Sequence, residues 1–416
     1  MDFINLSYRL SDQRNRPIAS VIETVQRIEP ARLDEVPEAL SDAVAELAAA
    51  GATLGKALHP TTAASLAAVV RIMNTYYSNL IEGHNTRPRD IERALAGEFE
   101  ADGERRDFQQ EAAAHVRVQA EVDALAQDGR LPEPASSDFI RWLHEEFYRD
   151  APAGFLHLEG AGRTFTMVPG EWRARPEHDN AVGRHQPPSS DRVADFMRYF
   201  AERYAIAPLG RAARILAIPA AHHRFNFIHP FPDGNGRVSR LMSHAMAHQA
   251  GIGAHGLWSL SRGLARGLES RGDYKRMMDH ADSPRQGDLD GRGNLSQRVL
   301  IEFSLWFLKV CLDQVRFMSE LFEIETLARR LRRFVERSET LKPEAARLLE
   351  EALIRGSFDR GDVPRITGMP ERSARRVLND VEKLGLLASA TPKGAVSLRF
   401  PVATLDQLFP RLFPET

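Results

Sequence analysis

The sequence predicts a mainly α-helical chain, and three observations carry that expectation. Apolar residues recur at i, i+3, i+4 and i+7 in one segment after another, most clearly at Leu66, Val69, Val70, Met73, Tyr77 and Leu80. Capping residues, glycines and prolines separate those segments. Strand-like sequence is confined to 163–168 and to short pieces flanking Thr391-Pro392-Lys393-Gly394. With 416 residues, 43% of them apolar and 27% charged, the chain has the balance of a globular protein of two or three domains.

The elements follow in order. Residues 1–60 read as an N-terminal arm with an alanine-rich helix near 37–50. A second helix opens at Thr61 and Thr62, which are capping residues, and runs to Glu82, with Gly83 as its stop. Helical patterns continue over 88–96, 107–126 and 136–148. Residues 160–188 are turn-rich and supply little core. Helices resume at 191–204 and 211–225, the latter carrying Pro219, where a kink is expected. The next helix places Val238, Leu241, Met242 and Ala245 on one face. A short helix near 273–278 and a loop rich in Asp, Arg and Gly (283–294) lead to one long helix or a helix pair over 295–339. From 341 onward the rhythm changes, with helices at 343–355, 362–367 and 371–384.

The chemistry concentrates in His229-Pro230-Phe231-Pro232-Asp233-Gly234-Asn235-Gly236-Arg237-Val238-Ser239-Arg240. Helix N-termini carry partial positive charge and favour acids, yet Arg237 and Arg240 fall in the first turns of the helix that starts here. An anion resolves the conflict. A Gly-Asn-Gly turn feeding a helix lets backbone N–H groups converge on phosphate oxygens, which makes Gly234, Asn235 and Gly236 phosphate donors and the two arginines phosphate clamps. Asp233 is placed to hold the Mg2+ that accompanies a nucleotide, and His229 to act as general base.

This stretch resembles the Fic family motif, H-x-F-x-[D/E]-G-N-G-R-x-x-R, at every defined position. The resemblance implies a Fic-type helical core over 61–330 and transfer of AMP from ATP to a Tyr, Thr or Ser hydroxyl of a target protein or of the chain itself. It also assigns Arg240 to the γ-phosphate. Removal of AMP by the same site, and a nucleotide-sensing transcriptional regulator, are the alternatives.

Two further segments resemble parts of that family. Ser78-Asn79-Leu80-Ile81-Glu82-Gly83 is similar to the inhibitory motif [S/T]-x-x-x-E-[G/N], in which the glutamate binds the second arginine of the active-site motif and obstructs the γ-phosphate. An acid at a helix C-terminus and a base near a helix N-terminus are each unfavourable, and pairing Glu82 with Arg240 relieves both. The helix 61–83 is therefore expected to be inhibitory. Gly170-Glu171-Trp172-Arg173 through Val182-Gly183-Arg184-His185 resembles the family's flap, a β-hairpin that aligns a target strand, with Val182, Gly183 and His185 as docking positions. Trp172 reads equally well as a packing residue.

Residues 341–416 resemble a winged helix-turn-helix domain, with Arg372, Arg375 and Arg376 on the candidate recognition helix. They contain 12 Lys and Arg against 10 Asp and Glu, a surplus of only two, so protein docking or a dimer contact ranks ahead of DNA. A homodimer is compatible with the sequence.

The remaining signals are bland. Gly251-Ile252-Gly253-Ala254-His255-Gly256 satisfies a dinucleotide fingerprint but follows a helix rather than a strand. His244 and His248 have zinc-ligand spacing, but Ala245 stands where H-E-x-x-H needs Glu, and an ordinary helix face is the expectation. The single cysteine, Cys311, precludes an intramolecular disulfide and reads as a buried thiol. A net charge of -2 implies no global attraction to nucleic acid or to an anionic membrane. No signal segment or membrane span is apparent, which suggests a cytoplasmic protein.

Overall fold

The computed structural model describes residues 23–413, apart from positions 34, 102, 161, 162, 180, 182 and 184. The helices are α1 (Glu38–Thr53), α2 (Pro60–Ile81), α3 (Pro88–Leu95), α4 (Gly103–Gln127), α5 (Ser137–Tyr148) and the single turn α6 (Ala153–Leu156). They continue with α7 (Val193–Tyr204), α8 (Arg211–Ile228), α9 (Asn235–Gln249), α10 (Leu260–Arg266), α11 (Asp273–Ala281), α12 (Gln297–Leu321) and α13 (Ile324–Arg337). The last are α14 (Ala345–Arg355), α15 (Val363–Thr367), α16 (Glu371–Lys383) and α17 (Leu405–Leu408). The mainly α expectation holds, and the stretch 295–339 resolves as a helix pair, with the Glu323 side chain capping α13 through the N–H groups of Glu325 and Thr326. α8 runs continuously through Pro219.

The chain divides into two compact units. The first comprises 23–49, 74–253 and 260–313, and the second 50–73, 254–259 and 314–416. These borders differ from those expected at 60 and 341, because α2 and α12 each contribute residues to both units.

In the first unit α8 and α9 form a helical hairpin whose short connection is the motif. α9 is packed on every side: Val238, Leu241, Met242, Ala245 and Met246 are at most 1% exposed. α4 and α5 pack against it and carry polar side chains inward, among them Glu111, His115, Asp123 and His144. Such buried polar groups require partners: Glu111 finds Arg237, Asp123 finds His244 and His248, His144 finds the Asp233 carbonyl and the Gly170 N–H, and His115 finds Thr75 of α2. A two-stranded antiparallel hairpin, β1 (His157–Gly160) with β2 (Arg163–Thr166), pairs Leu158 with Phe165.

The hairpin thus falls earlier in the chain than the flap expected at 170–185. Among the described residues that later segment contains turns and the 3-10 segment Pro176–His178 but no strand. Arg173 ties this segment to the motif: its N–H donates to the Pro230 carbonyl, and its buried guanidinium reaches backbone carbonyls and Asp179.

In the second unit α14, α15 and α16 pack together, with α15 and α16 joined through Gly368-Met369-Pro370. A three-stranded antiparallel sheet of order β3-β5-β4 uses β3 (Ser357–Phe358), β4 (Leu387–Ser389) and β5 (Val396–Leu398). The start of α2 joins this unit through Thr62, whose hydroxyl donates to the Leu353 carbonyl at 2.9 Å. Cys311 is buried, and burial raises its thiol pKa. No described helix is long and apolar enough to cross a membrane.

Candidate active site

The α8–α9 connection is built by its own side chains. His229 ends α8 in the left-handed region (φ 50°, ψ 60°), uncommon for a residue with a Cβ, and its N–H donates to the Phe225 carbonyl at 2.9 Å. Arg173 holds it there: its Nε donates to the His229 carbonyl at 2.7 Å, and Nη2 to the carbonyls of Pro188 and Ile228. Asn235 closes the turn from inside. Its Oδ1 accepts from the Phe231 N–H at 2.9 Å, and its Nδ2 donates to the Phe231 carbonyl at 2.8 Å. The Asn235 amide is therefore a loop lock, and the phosphate donors available here are backbone N–H groups. Phe231 is fully buried, stacked on His144 at 3.9 Å and against Trp172 at 4.7 Å. The packing reading of Trp172 describes its place.

A cavity of about 340 Å3 opens over this turn, lined by His229, Asp233, Gly234, Gly236, Arg240 and Glu82, with Leu158 and Phe165 of the hairpin on its rim. The first turn of α9 faces it, and that turn's N–H groups have no carbonyl partner within the helix. Gly234 has φ 79°, and a Cβ there would meet the Tyr148 hydroxyl at 2.9 Å. At Gly236 a Cβ would lie 2.3 Å from Glu82 Oε1. Both glycines are required by close approach.

Two arginines, one turn apart on α9, have different surroundings. Arg237 turns inward, 7% exposed, and does not line the cavity. Its Nη1 pairs with Glu111 at 2.7 Å and its Nη2 with Asp233 Oδ2 at 2.8 Å, while the rings of Phe147 and Tyr148 flank its guanidinium. Its expected place as an outer phosphate clamp is thus taken by a buried ion-pair network. The physical reason is Glu111, a carboxylate buried on α4 that requires a cation beside it. Arg240 faces the cavity. Its Nη2 donates to Glu82 Oε1 at 2.6 Å, and its Nε to the Ser78 hydroxyl at 3.0 Å. Glu82 lies immediately beyond the end of α2 and is 20% exposed.

Electrostatics sets the protonation states. Burial and the neighbouring Arg173 cation push the His229 imidazole down to about 3, so it is neutral at physiological pH. Burial raises the Asp233 carboxyl, but Arg237, the Tyr148 hydroxyl (2.7 Å) and the Gly234 N–H outweigh it and hold the group at about 2. Asp233 is thus ionised, and its side chain is 46% exposed toward the cavity. An ionised carboxylate facing an anion-binding turn fits a magnesium ion, which commonly takes one or two carboxylates plus substrate phosphates.

Of the flap positions, His185 lines the cavity and is also tied to the neighbouring backbone. His185 is a structural anchor: its Nε2 faces the Phe227 carbonyl at 2.7 Å, and its Nδ1 pairs with Asp282. Gly183 stands in a turn, and Val182 lies outside the described residues. The sequence reading missed Glu111, His144, Tyr148 and Arg173. The signal for the first three was a polar residue inside an amphipathic helix. Arg173 was visible only as part of Gly-Glu-Trp-Arg. His222 and His223 are fully buried, the first against Ser243 and Tyr274 and the second beside Asp282.

The α8–α9 hairpin thus joins a neutral histidine to a Gly-Asn-Gly turn that opens the next helix. Residues 134–247 match the model of the Fic/DOC family, and the chain contains a Fic domain. Its curated relatives include the Protein adenylyltransferase Fic of Drosophila sechellia and that of Drosophila melanogaster, each 34% identical over 103 residues. Each match covers 23% of this chain and 19% of the relative, so the chain spans about a fifth of the length of those proteins. Among solved structures, a Fic family protein from Desulfovibrio desulfuricans G20 shares the fold, with a TM-score of 0.50 at 17% identity over 88% of this chain and 98% of that one.

Proposed function

We propose that this chain transfers AMP from ATP to a hydroxyl side chain of a protein, and that Glu82 holds the site inactive. The observation that carries the reading is the 2.6 Å contact of Glu82 with Arg240 at the mouth of an otherwise complete phosphate site. The acceptor is a Tyr, Thr or Ser on a target protein or on the chain itself.

The neutral His229 takes the proton of the hydroxyl as its oxygen attacks the α-phosphorus. A new O–P bond forms, the bond to the β-phosphate breaks, and pyrophosphate leaves. Backbone N–H groups of Gly234, Asn235 and Gly236 hold phosphate oxygens, and Arg240 receives the γ-phosphate once Glu82 withdraws. Arg237 and Tyr148 position Asp233. Magnesium held by Asp233 would neutralise phosphate charge during transfer. Ser78 keeps Arg240 oriented in both states.

Support for a winged-helix reading of residues 341–416 comes from the order α14, β3, α15, α16, β4, β5 and the sheet order β3-β5-β4. Its task in this proposal is docking to a protein or to a second copy. Arg372, Arg375 and Arg376 are exposed, but Arg375 is paired with Glu371.

The test uses wild type, Glu82→Gly and Glu82→Gly/His229→Ala with magnesium and ATP labelled at the α-phosphate. The expected outcome is label on protein with Glu82→Gly and none with the double variant. Absence of label from every variant, with ATP still bound, would overturn the transfer reading in favour of AMP removal or nucleotide sensing.

A further inference from the structure

We propose that Asp123, His244 and His248 form a zinc site that ties α4 to the far half of α9. Three ligand atoms converge there. Asp123 Oδ1 lies 2.7 Å from His244 Nε2 and 3.0 Å from His248 Nε2, and the two Nε2 atoms are 3.2 Å apart. The side chains are 3%, 7% and 8% exposed, so the cluster is enclosed by protein.

The geometry is that of a coordination sphere. Zn–N bonds of about 2.0–2.1 Å set a tetrahedral ligand–ligand edge of about 3.3 Å, and the observed triangle needs to open by about 0.6 Å or less to meet it. Without a cation, two imidazole Nε2 atoms crowd a single carboxylate oxygen while facing each other across 3.2 Å, whichever tautomers the rings adopt. One divalent ion turns this crowded contact into three bonds. Two imidazoles and one carboxylate suit zinc rather than magnesium, and the fourth position is left for water.

The local sequence builds the pair, and the fold supplies the third ligand. His244 and His248 are one turn apart on α9, while Asp123 comes from α4, 121 residues from His244. The second ring packs directly over Gly253: a Cβ there would lie 2.5 Å from His248 Nδ1, so only glycine at 253 admits the ring in this position. The site is separate from the phosphate turn, yet Arg240, His244 and His248 occupy successive turns of α9. A metal there would stiffen the helix that presents Arg240.

The test is zinc binding by the untagged full chain, previously stripped with chelator. It uses competition against a chromophoric zinc chelator, metal analysis after dialysis, and thermal melting with and without zinc. Wild type is expected to retain one equivalent of zinc in the presence of millimolar magnesium and to melt at a higher temperature with it. Cobalt(II) should give the intense visible absorption of a tetrahedral site. His248→Ala and Asp123→Asn should lose the bound equivalent, the melting shift and the cobalt band together. Far-UV circular dichroism identifies any variant that fails to fold, and His248→Ala, at the more open edge of the cluster, then carries the comparison. A wild type that retains no zinc overturns the proposal, as does zinc bound equally by folded His248→Ala.

Discussion

Arg237 and Arg240 stand on the same helix one turn apart, and their surroundings could hardly differ more. Arg237 is enclosed by Glu111, Asp233, Tyr148 and Phe147, all groups that stay where the fold puts them. Arg240 is held by Ser78 and by one carboxylate that is 20% exposed at the end of a helix. A buried charge with permanent partners is scaffold. A charge whose principal partner sits at a water-accessible helix end can exchange that partner for another anion, which is the role the proposed function gives Arg240. The difference teaches that two arginines of one motif can have different tasks, one buried in the scaffold and the other facing the cavity.

Breaking the inner network should have the largest consequence. Glu111→Gln leaves the Arg237 guanidinium buried without its α4 partner, and the expected loss is about 3–5 kcal/mol of folding free energy, read from urea denaturation. The outer contact should be far cheaper. Glu82→Gly leaves Arg240 with Ser78 and the solvent of the cavity, so a loss of about 1–2 kcal/mol is expected in the same experiment. Equal losses from the two variants would remove the distinction between scaffold and exchangeable contact.

The smallest expected effect is on pH dependence. An imidazole titrating at 6.5 would lose about tenfold of its neutral form between pH 7.5 and 5.5. With His229 held at about 3, transfer by Glu82→Gly should change less than about twofold over that range through this group. The sign for stability runs the other way. Below about pH 6.5 the unfolded chain takes up a proton at this position that the folded chain refuses until about pH 3, so the fold weakens as pH falls through that window. A tenfold fall in kcat/KM centred near 6.5 would show that His229 is not shielded as the geometry requires.

Much of this was legible in the chain itself. Helix positions followed from apolar periodicity, which is a local property, and the motif stood out as a sharp turn opening a helix because its logic lies within twelve residues. Glu82 and Arg240 were paired from helix-end charge together with the resemblance to an inhibitory motif, although 158 residues separate them. The segment 170–185 was less legible, because its anchor Arg173 reaches carbonyls of Pro188, Ile228 and His229 that no local pattern names.

By itself, then, the sequence determined the mainly helical class and marked the twelve-residue motif at a helix junction, since propensity, capping and a short motif act over a few residues. Only the tertiary structure decided that Arg237 faces Glu111 rather than the cavity, that Arg173 locks the His229 backbone, and that Asp123 meets His244 and His248. Those contacts join groups 56 to 126 residues apart. No local pattern encodes them, because a buried charge specifies that it needs a partner and leaves the packing of helices to choose which one.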